Sequence, residues 1–368
     1  MKLLYVASGH PLQEADDCLM WDKLGYEWYS TGYYAKANGP GDLPKISSYY
    51  ITDEFRKKLQ LCSATSTDKS LASKNTAFAG HYIANQWYFT NEFLSDFDIV
   101  IFNHFVCNIL KNFSLLQHYN ICTILKTYGM HPPNDETKIA LLRRGNHLYS
   151  VRNSPKEHKR TPFFGGCDAI IRGSVVKDEH EISGWTGNST NIVTFASHFN
   201  FDSAIAQRRR NLYISIRNLL PDYNFKLYGS ANENEPYCES GFVTHKDKIK
   251  ILQDARVALI TGTPYANNTY SMVESWIMGV PLVVFGKDMW LSDTYEADQL
   301  VQNCVNGFIA NSPEEAAGYI KLLIKNKDVA QRMSIAGRKK AVSIYGREVL
   351  SNQWKVFLQE SIRKFNTS

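Results

Sequence analysis

A polar run leading into a short apolar helix with one carboxylate carries most of the chemistry legible in this chain. Asn267-Asn268-Thr269-Tyr270-Ser271 precedes Met272-Val273-Glu274-Ser275-Trp276-Ile277-Met278, and Gly279-Val280-Pro281 then leads into Leu282-Val283-Val284-Phe285. The spacing predicts a loop, a short helix, a Gly-Pro turn and a buried strand. The polar cluster can cap the helix, whose first backbone amides have no partner inside it. Together with the positive end of the helix dipole, those amides favour an anion. The residues from Asn268 through Thr269 and Tyr270 to Ser271 are therefore candidate phosphate binders. Glu274, one turn inside, is placed to accept from a ribose hydroxyl. Gly279 closes the helix and Pro281 prevents its continuation. An ordinary helix-to-strand connection with a surface glutamate fits the same residues, and the local pattern leaves both readings open.

Basic side chains, like helix N-termini, can hold a phosphate anion at such a site. Arg208-Arg209-Arg210 is the densest basic source. Successive helical residues are turned about 100° apart, so at most one or two of the three can face one ligand; Arg208 and Arg209 are the candidates. Lys246 is another, with an exposed loop lysine as the equal alternative. His104 and His131 both follow expected strands and are the candidate catalytic histidines, although a lone histidine more often makes a structural hydrogen bond. No metal is expected. Asp16-Asp17 is adjacent rather than spaced, an Asp-x-Asp signature is not expected, and no histidine pair has zinc-hydrolase spacing.

These groups need a scaffold, and 368 residues give room for about two domains with cores of their own. With 44% hydrophobic and 21% charged residues the composition is globular. No run approaches the roughly 18 apolar residues that cross a bilayer. Met1 to Ala7 is too short for a signal peptide and fits a first strand, so a cytoplasmic location is expected, with peripheral contact to an anionic membrane left open. Seven cysteines without short paired spacing read as reduced thiols, most of them in the core. The formal charge of +5 suits nucleotide, nucleic-acid or anionic-lipid partners and selects none.

The first half reads as alternating strands and helices: a strand from Lys2 to Ser8, a turn at Gly9, a helix from Leu12 to Leu24, and a strand over Glu27 to Thr31. Later strands are expected over 98–103, 120–127 and 169–172. In an open parallel sheet, ligands bind at the carboxyl ends of strands, which would gather Gly9, Asn103, His104, Thr127, Tyr128 and Gly129 on one edge. A polar, glycine-bearing stretch over 177–191 reads as a linker. A second alternation has strands over 192–196, 225–229, 241–243, 257–260 and near 307–309. Its helices are expected over 206–220, 312–325 and 327–343, and a last one covers 347–365. The stretch between Arg143 and Arg160 holds six basic residues and one acid, Glu157, and reads as a solvated basic loop or a site for a phosphate-rich acceptor. The aromatic stretch from Tyr26 to Tyr34 suits either sugar stacking or core.

Val273-Glu274-Ser275-Trp276-Ile277-Met278-Gly279-Val280-Pro281-Leu282-Val283 resembles the nucleotide-sugar motif of the large group-1 family of retaining GT-B glycosyltransferases, the family 4-like group. The helix over 247–256, Asn306-Gly307-Phe308-Ile309 and the terminal helices resemble that family in the same order. The resemblance is specific from about Ile192 onward and loose before it. It implies two Rossmann-like parallel-sheet α/β domains facing across a cleft: residues 1–186 for the acceptor, residues 187–346 for the donor, and a helix over 347–368 returning to the first. The implied activity is metal-independent transfer of a hexosyl or related group, with retention, from a nucleotide-diphosphate sugar to an acceptor hydroxyl. UDP- and GDP-sugars are the expected donors. Acceptors would be glycan, lipid-linked or other hydroxyl compounds, as in surface glycan, lipopolysaccharide or glycolipid synthesis. No cofactor is implied. Two departures stand out: the family's earlier glutamate falls on Ala266, and its arginine and lysine are missing from the loop Ser197 to Ser203. His104 resembles a family histidine, whereas the next such position is Tyr128, with His131 three residues on as its replacement.

Other readings remain. Ala266 and the missing Arg/Lys pair suit a nucleotide-sugar-binding protein with weak or no transferase activity. A nucleic-acid-modifying glycosyltransferase rests on charge alone. A dinucleotide-dependent oxidoreductase would need a Gly-x-Gly-x-x-Gly after the first strand, and Ser8-Gly9-His10-Pro11 supplies one glycine.

Overall fold

The computed structural model describes residues 1–8, 11–36, 43, 45–46, 51–65, 86–104, 106–119, 121–127, 143, 148–160, 167–173, 184–196, 204–229, 241, 243–262, 269–289 and 295–367. The chain divides into two compact units, Met1–Val176 with Arg347–Ser368, and Lys177–Gly346. The boundary precedes the expected one at 186/187. The reason lies in Trp185, whose indole Nε1 donates to the Ala255 carbonyl at 2.6 Å, binding that part of the linker to the second unit.

In chain order the first unit runs β1 (Lys2–Val6), α1 (Pro11–Lys23), β2 (Glu27–Ser30), α2 (Asp53–Leu61), β3 (Ser63–Thr65), β4 (Gln86–Tyr88) and α3 (Asn91–Leu94). It continues with β5 (Ile99–Asn103), α4 (Val106–His118), β6 (Cys122–Thr127), β7 (Leu148–Arg152), α5 (Pro155–Arg160) and β8 (Ala169–Ile170). Six strands form one parallel sheet in the order β2-β1-β5-β6-β7-β8, and β3 and β4 make a separate antiparallel pair. β5, β6 and β7 are buried at every residue, as parallel strands covered on both faces must be.

The strand β7 corrects the reading of residues 143–160 as a basic loop. Leu148, Tyr149, Ser150 and Val151 are buried, and Arg152 is 1% exposed. Its Nη1 donates to Glu157 Oε1 at 3.2 Å and to Thr127 Oγ1 at 3.2 Å. A count of charges along the chain could not reveal that the single acid of the stretch neutralises a buried arginine. The aromatic stretch 26–34 is largely core: Trp28 and Tyr34 are fully buried and pack edge to face, and Tyr29 packs on Phe55 and Phe97.

The second unit runs β9 (Ile192–Phe195), α6 (Ala204–Asn218), β10 (Phe225–Tyr228), α7 (His245–Asp254), β11 (Val257–Ile260), α8 (Tyr270–Met278), β12 (Leu282–Phe285), α9 (Ala297–Leu300), β13 (Phe308–Ala310), α10 (Pro313–Lys325) and α11 (Lys327–Tyr345). Its parallel sheet has the order β10-β9-β11-β12-β13. The strand expected over 241–243 is not formed by the described residues there: Gly241 is a bend with φ 56° and Val243 has no strand pairing. α8 is buried from Met272 to Met278, the pattern of a core helix, and it packs on α11. Gly337 permits that approach, since a Cβ there would sit 2.9 Å from Trp276 Nε1.

The last helix, α12 (Arg347–Asn366), belongs to the first unit, where Leu350, Trp354, Phe357, Leu358 and Phe365 join the core that includes β1 and α1 residues. Trp354 meets Trp21 edge to face at 4.8 Å between centroids. Beneath them Lys126 Nζ, 5.4 Å from the Trp354 ring centroid, is ion-paired to Asp17, which also accepts from Tyr5 Oη at 2.6 Å. Lys126 and Asp17 are both buried. Removing one partner of a buried pair strands the other charge, at a cost of about 3 kcal/mol. Lys126→Ala should lower unfolding stability by that amount in urea titrations followed by tryptophan fluorescence. The paired change Lys126→Met with Asp17→Asn should recover part of it.

Candidate functional site

The β9 strand has β10 on one side and β11 on the other, so the second unit's strand order reverses between β9 and β11. Such a reversal leaves a crevice at the carboxyl ends of the strands, where ligands of open α/β sheets bind. Phe195 ends β9 and Tyr228 ends β10, and their rings stack at 5.1 Å with an interplanar angle of 21°. Gly262, with φ 73°, follows β11.

The helix α8 enters at this edge. Thr269 caps it, its Oγ1 accepting from Met272 N at 3.1 Å and lying 2.9 Å from Ser271 Oγ. Ser271 Oγ donates to the Phe195 carbonyl at 3.2 Å, fixing the helix start against the end of β9. At the other end Gly279 adopts φ 85°, and its N–H reaches the carbonyls of Ser275 and Trp276. That left-handed cap suits glycine. Tyr270 is half-buried. Asn268 and Ala266 lie outside the described residues.

Glu274 is 6% exposed on this buried helix, where a lone carboxylate would be costly. Lys248 supplies the charge: its Nζ donates to Glu274 Oε2. His245 Nδ1 lies 3.5 Å from Glu274 Oε1. Lys248 Nζ also sits 4.8 Å from the Phe195 ring centroid, within cation–π range. Both groups come from α7, which Thr244 starts by accepting from Asp247 N at 3.2 Å while donating to Asp247 Oδ2 at 2.7 Å. The residues at i and i+3 of that first turn then share a face.

The lysine brought to Glu274 is Lys248; Lys246, the candidate for a phosphate charge, is exposed and lies between His245 and Lys248 in sequence. The signal that could have found Lys248 was the Thr244-x-x-Asp247 cap, which fixes where the helix begins. Among the arginines, Arg209 is 1% exposed and its Nη1 donates to the Gly262 carbonyl at 3.1 Å. Burial lowers its pKa to about 10, so it stays charged at neutral pH beside the end of β11. Arg208 is half-buried and donates to the Asp288 carbonyl at 3.1 Å.

In the first unit the strand order reverses between β1 and β5. There Asn103 Nδ2 donates to Ser8 Oγ at 3.2 Å, and His104 follows with φ 69°, its N–H bonded to the Lys126 carbonyl at 2.8 Å. Gly9 and His131 lie outside the described residues. Asp96-Phe97-Asp98 does have Asp-x-Asp spacing, yet it precedes β5, at the opposite end of the strand from His104. Asp96 pairs with Lys58 at 2.7 Å and Asp98 accepts from Lys2 N at 2.7 Å. No cluster of three metal-ligating side chains occurs among the described residues.

No family model matches the chain, and no curated protein matches it significantly. Solved structures are similar along nearly its whole length. HepE of Anabaena, in complex with UDP and glucose, has a TM-score of 0.65 at 12% identity, over 98% of this chain and 100% of that one. A glycosyltransferase from Rickettsia africae has a TM-score of 0.64 at 11% identity, over 98% of each chain. The pneumococcal O-GlcNAc transferase GtfA, in complex with UDP and GlcNAc, has 0.60 at 12%, over 98% of this chain and 99% of that one. At such identities the shared property is the fold, two Rossmann-like parallel-sheet α/β domains of GT-B type.

Two measurements test the site. Lys248→Met removes the cation held on Glu274 and should cost about 2 kcal/mol in stability, part of which Glu274→Gln in the same chain should restore. Burial lowers His104 to about 4. The unfolded chain, with an ordinary histidine pKa of about 6.5, therefore takes up this proton first, and stability falls as pH drops from about 6.5 to 4. Proton NMR should show His104 titrating near pH 4, and His104→Asn should flatten that part of the stability profile.

Proposed function

We propose that this chain is a glycosyltransferase that takes its sugar from a nucleotide-diphosphate donor held on the second unit. The observation that carries the reading is Glu274: a carboxylate in a buried helix, at the strand-order reversal, already fixed by Lys248 and approached by His245. A carboxylate oriented in this way accepts from the ribose hydroxyls of a nucleotide. The amino end of α8 faces the diphosphate, and Arg209 supplies a fixed positive charge beside the same crevice. Phe195 and Tyr228 add a flat aromatic surface next to Lys248.

The donor nucleotide in this reading is uridine diphosphate. Its support is the fold shared with HepE, which has been solved with UDP-glucose, and with GtfA, solved with UDP and GlcNAc. Transfer proceeds with retention and without a metal, the departing diphosphate accepting the proton of the acceptor hydroxyl. Glu274 binds and does not attack carbon. His104, neutral at physiological pH, positions the acceptor side of the reaction from the first unit, and the acceptor is a glycan or lipid-linked hydroxyl. Ala266, which falls at the sequence position of the earlier glutamate in the resembled pattern, favours a second reading in which the chain binds the nucleotide-sugar with little turnover.

A thermal-shift and calorimetric screen of UDP-, GDP-, ADP- and CMP-sugars separates these outcomes. Wild-type protein should be stabilised by the UDP-sugars, and Glu274→Ala should weaken that binding at least tenfold. Turnover of the bound donor with a glycan acceptor supports transfer. Tight binding with neither transfer nor hydrolysis across an acceptor panel supports the second reading, and no shift with any nucleotide rejects the donor site itself.

A further inference from the structure

Seven of the second unit's cations lie on α10 and α11, whose exposed acids are Glu314 and Glu315 in the first turn of α10 and Asp328 on α11. Residues 321–345 contain seven basic residues and one acid, Asp328, a local excess larger than the formal +5 of the entire chain. Arg338 is turned inward, its Nη1 donating to the Ile277 carbonyl at 3.0 Å. The other six, Lys321, Lys325, Lys327, Arg332, Lys339 and Lys340, are exposed and make no ion pair among the described residues.

Their placement follows from the two helices that carry them. α10 and α11 are joined by the single residue Asn326, whose Oδ1 accepts from Val329 N at 3.0 Å and so starts α11 immediately after α10 ends. On α11, Ala330, Met333, Ser334, Gly337, Ala341 and Tyr345 are buried. The opposite face holds Asp328, Arg332, Ile335 and Lys339 at i, i+4, i+7 and i+11, a single stripe of an α-helix with three ionic groups and one aliphatic. Ile335 is 62% exposed between the two cations. On α10, Leu322 is 40% exposed beside Lys321 and one turn from Lys325.

A helix face that is only solvated usually interleaves both signs, with acids four residues from lysines. Here Arg332 has Asp328 four residues before it, whereas the positions four residues before and after Lys340 are Ala336 and Ile344, and those around Lys339 are Ile335 and Ser343. The exposed groups among the cations are the aliphatic Leu322 and Ile335 and the polar Asn326, Asp328, Gln331 and Ser343. Tyr319 is stacked on Phe308 and Tyr345 is buried, so neither offers a ring for stacking bases as single-stranded nucleic acid requires. Unneutralised cations spaced by protruding aliphatic side chains complement a surface that is anionic outside and apolar just beneath.

We infer that the outer face of α10 and α11 docks on an anionic lipid bilayer, with the six cations at the phosphate level and Leu322 and Ile335 pressed toward the acyl boundary. The inference goes beyond the donor reading and does not depend on it. The test is co-sedimentation of the full chain with vesicles of phosphatidylcholine alone and with about one third phosphatidylglycerol, without nucleotide, at about 0.1 M salt, where the screening length is near 10 Å. Wild-type protein should bind the anionic vesicles and not the neutral ones. The variant Arg332→Glu, Lys339→Glu, Lys340→Glu should bind at least tenfold more weakly, and Ile335→Ser several-fold more weakly, both with unchanged melting temperature. A matched variant on the first unit, Lys355→Glu with Lys364→Glu, should bind as wild type does. Equal binding by the wild type and the triple variant overturns the proposal, as does failure to bind anionic vesicles. Binding of polyuridylate that depends on the same cations, with no vesicle binding, assigns the surface to nucleic acid and overturns it as well.

Discussion

Parallel pairing is the constraint from which the rest of this structure follows. Parallel strands cannot be joined by tight turns, so their connections are long enough to carry helices, and helices then cover the faces of the sheet. In the first unit β5, β6 and β7 are buried at every position, and in the second β11 and β12 are. Such a sheet offers polar chemistry only beyond its strand ends. The strand-order reversals between β1 and β5 and between β9 and β11 open a gap there between helices that leave on opposite sides. Ser8, Asn103 and His104 collect at the first gap, and Phe195, Gly262 and the start of α8 at the second.

Charges that enter so apolar an interior have to be matched, and the matches define what each helix does. Lys126 and Asp17 join the centre of the first sheet to α1 beneath the Trp354 ring of α12, making the chain's last helix part of its first unit. Arg152 and Glu157 allow a strand that ends in arginine to lie inside the sheet. Burial raises Glu157 to about 7, against the opposing pull of Arg152 and the Thr127 hydroxyl. Lys248 and Glu274 differ from these in that the pair stands at a strand-order reversal, where Phe195 and Tyr228 are only partly covered. The same requirement for a partner fixes two buried ion pairs inside the first unit and one at the strand-order reversal of the second.

Similarity of fold at 11% to 13% identity over nearly the full length is the expected result when a pattern rather than particular residues is retained. Valine, isoleucine and leucine replace one another in a strand covered on both faces at little cost, provided volume is kept. The helix caps are similarly tolerant, since threonine, serine and asparagine all accept from the next turn's amides. Thr244, Thr269, Ser312 and Asn326 each do so here.

The sequence by itself determined the alternation of strands and helices, the division into two α/β halves, the helix from Tyr270 to Met278 and its glycine cap, because each of these depends on residues close together in the chain. It marked Glu274 for the same reason. The tertiary structure decided which charges are partners. Lys248 meets Glu274 because the Thr244 cap sets the rotation of α7 and the sheet sets its distance from α8. Residues 148–152 became a strand, although their flanks are rich in cations, because Glu157 folds back onto Arg152. Arg209 turned inward to a carbonyl at the end of β11. The sequence also could not say that Arg332, Ile335 and Lys339 share an exposed stripe, since which side of a helix is covered depends on what packs against it. Periodicity is written in the order of residues, whereas electrostatic pairing and exposure belong to distances between elements far apart in that order.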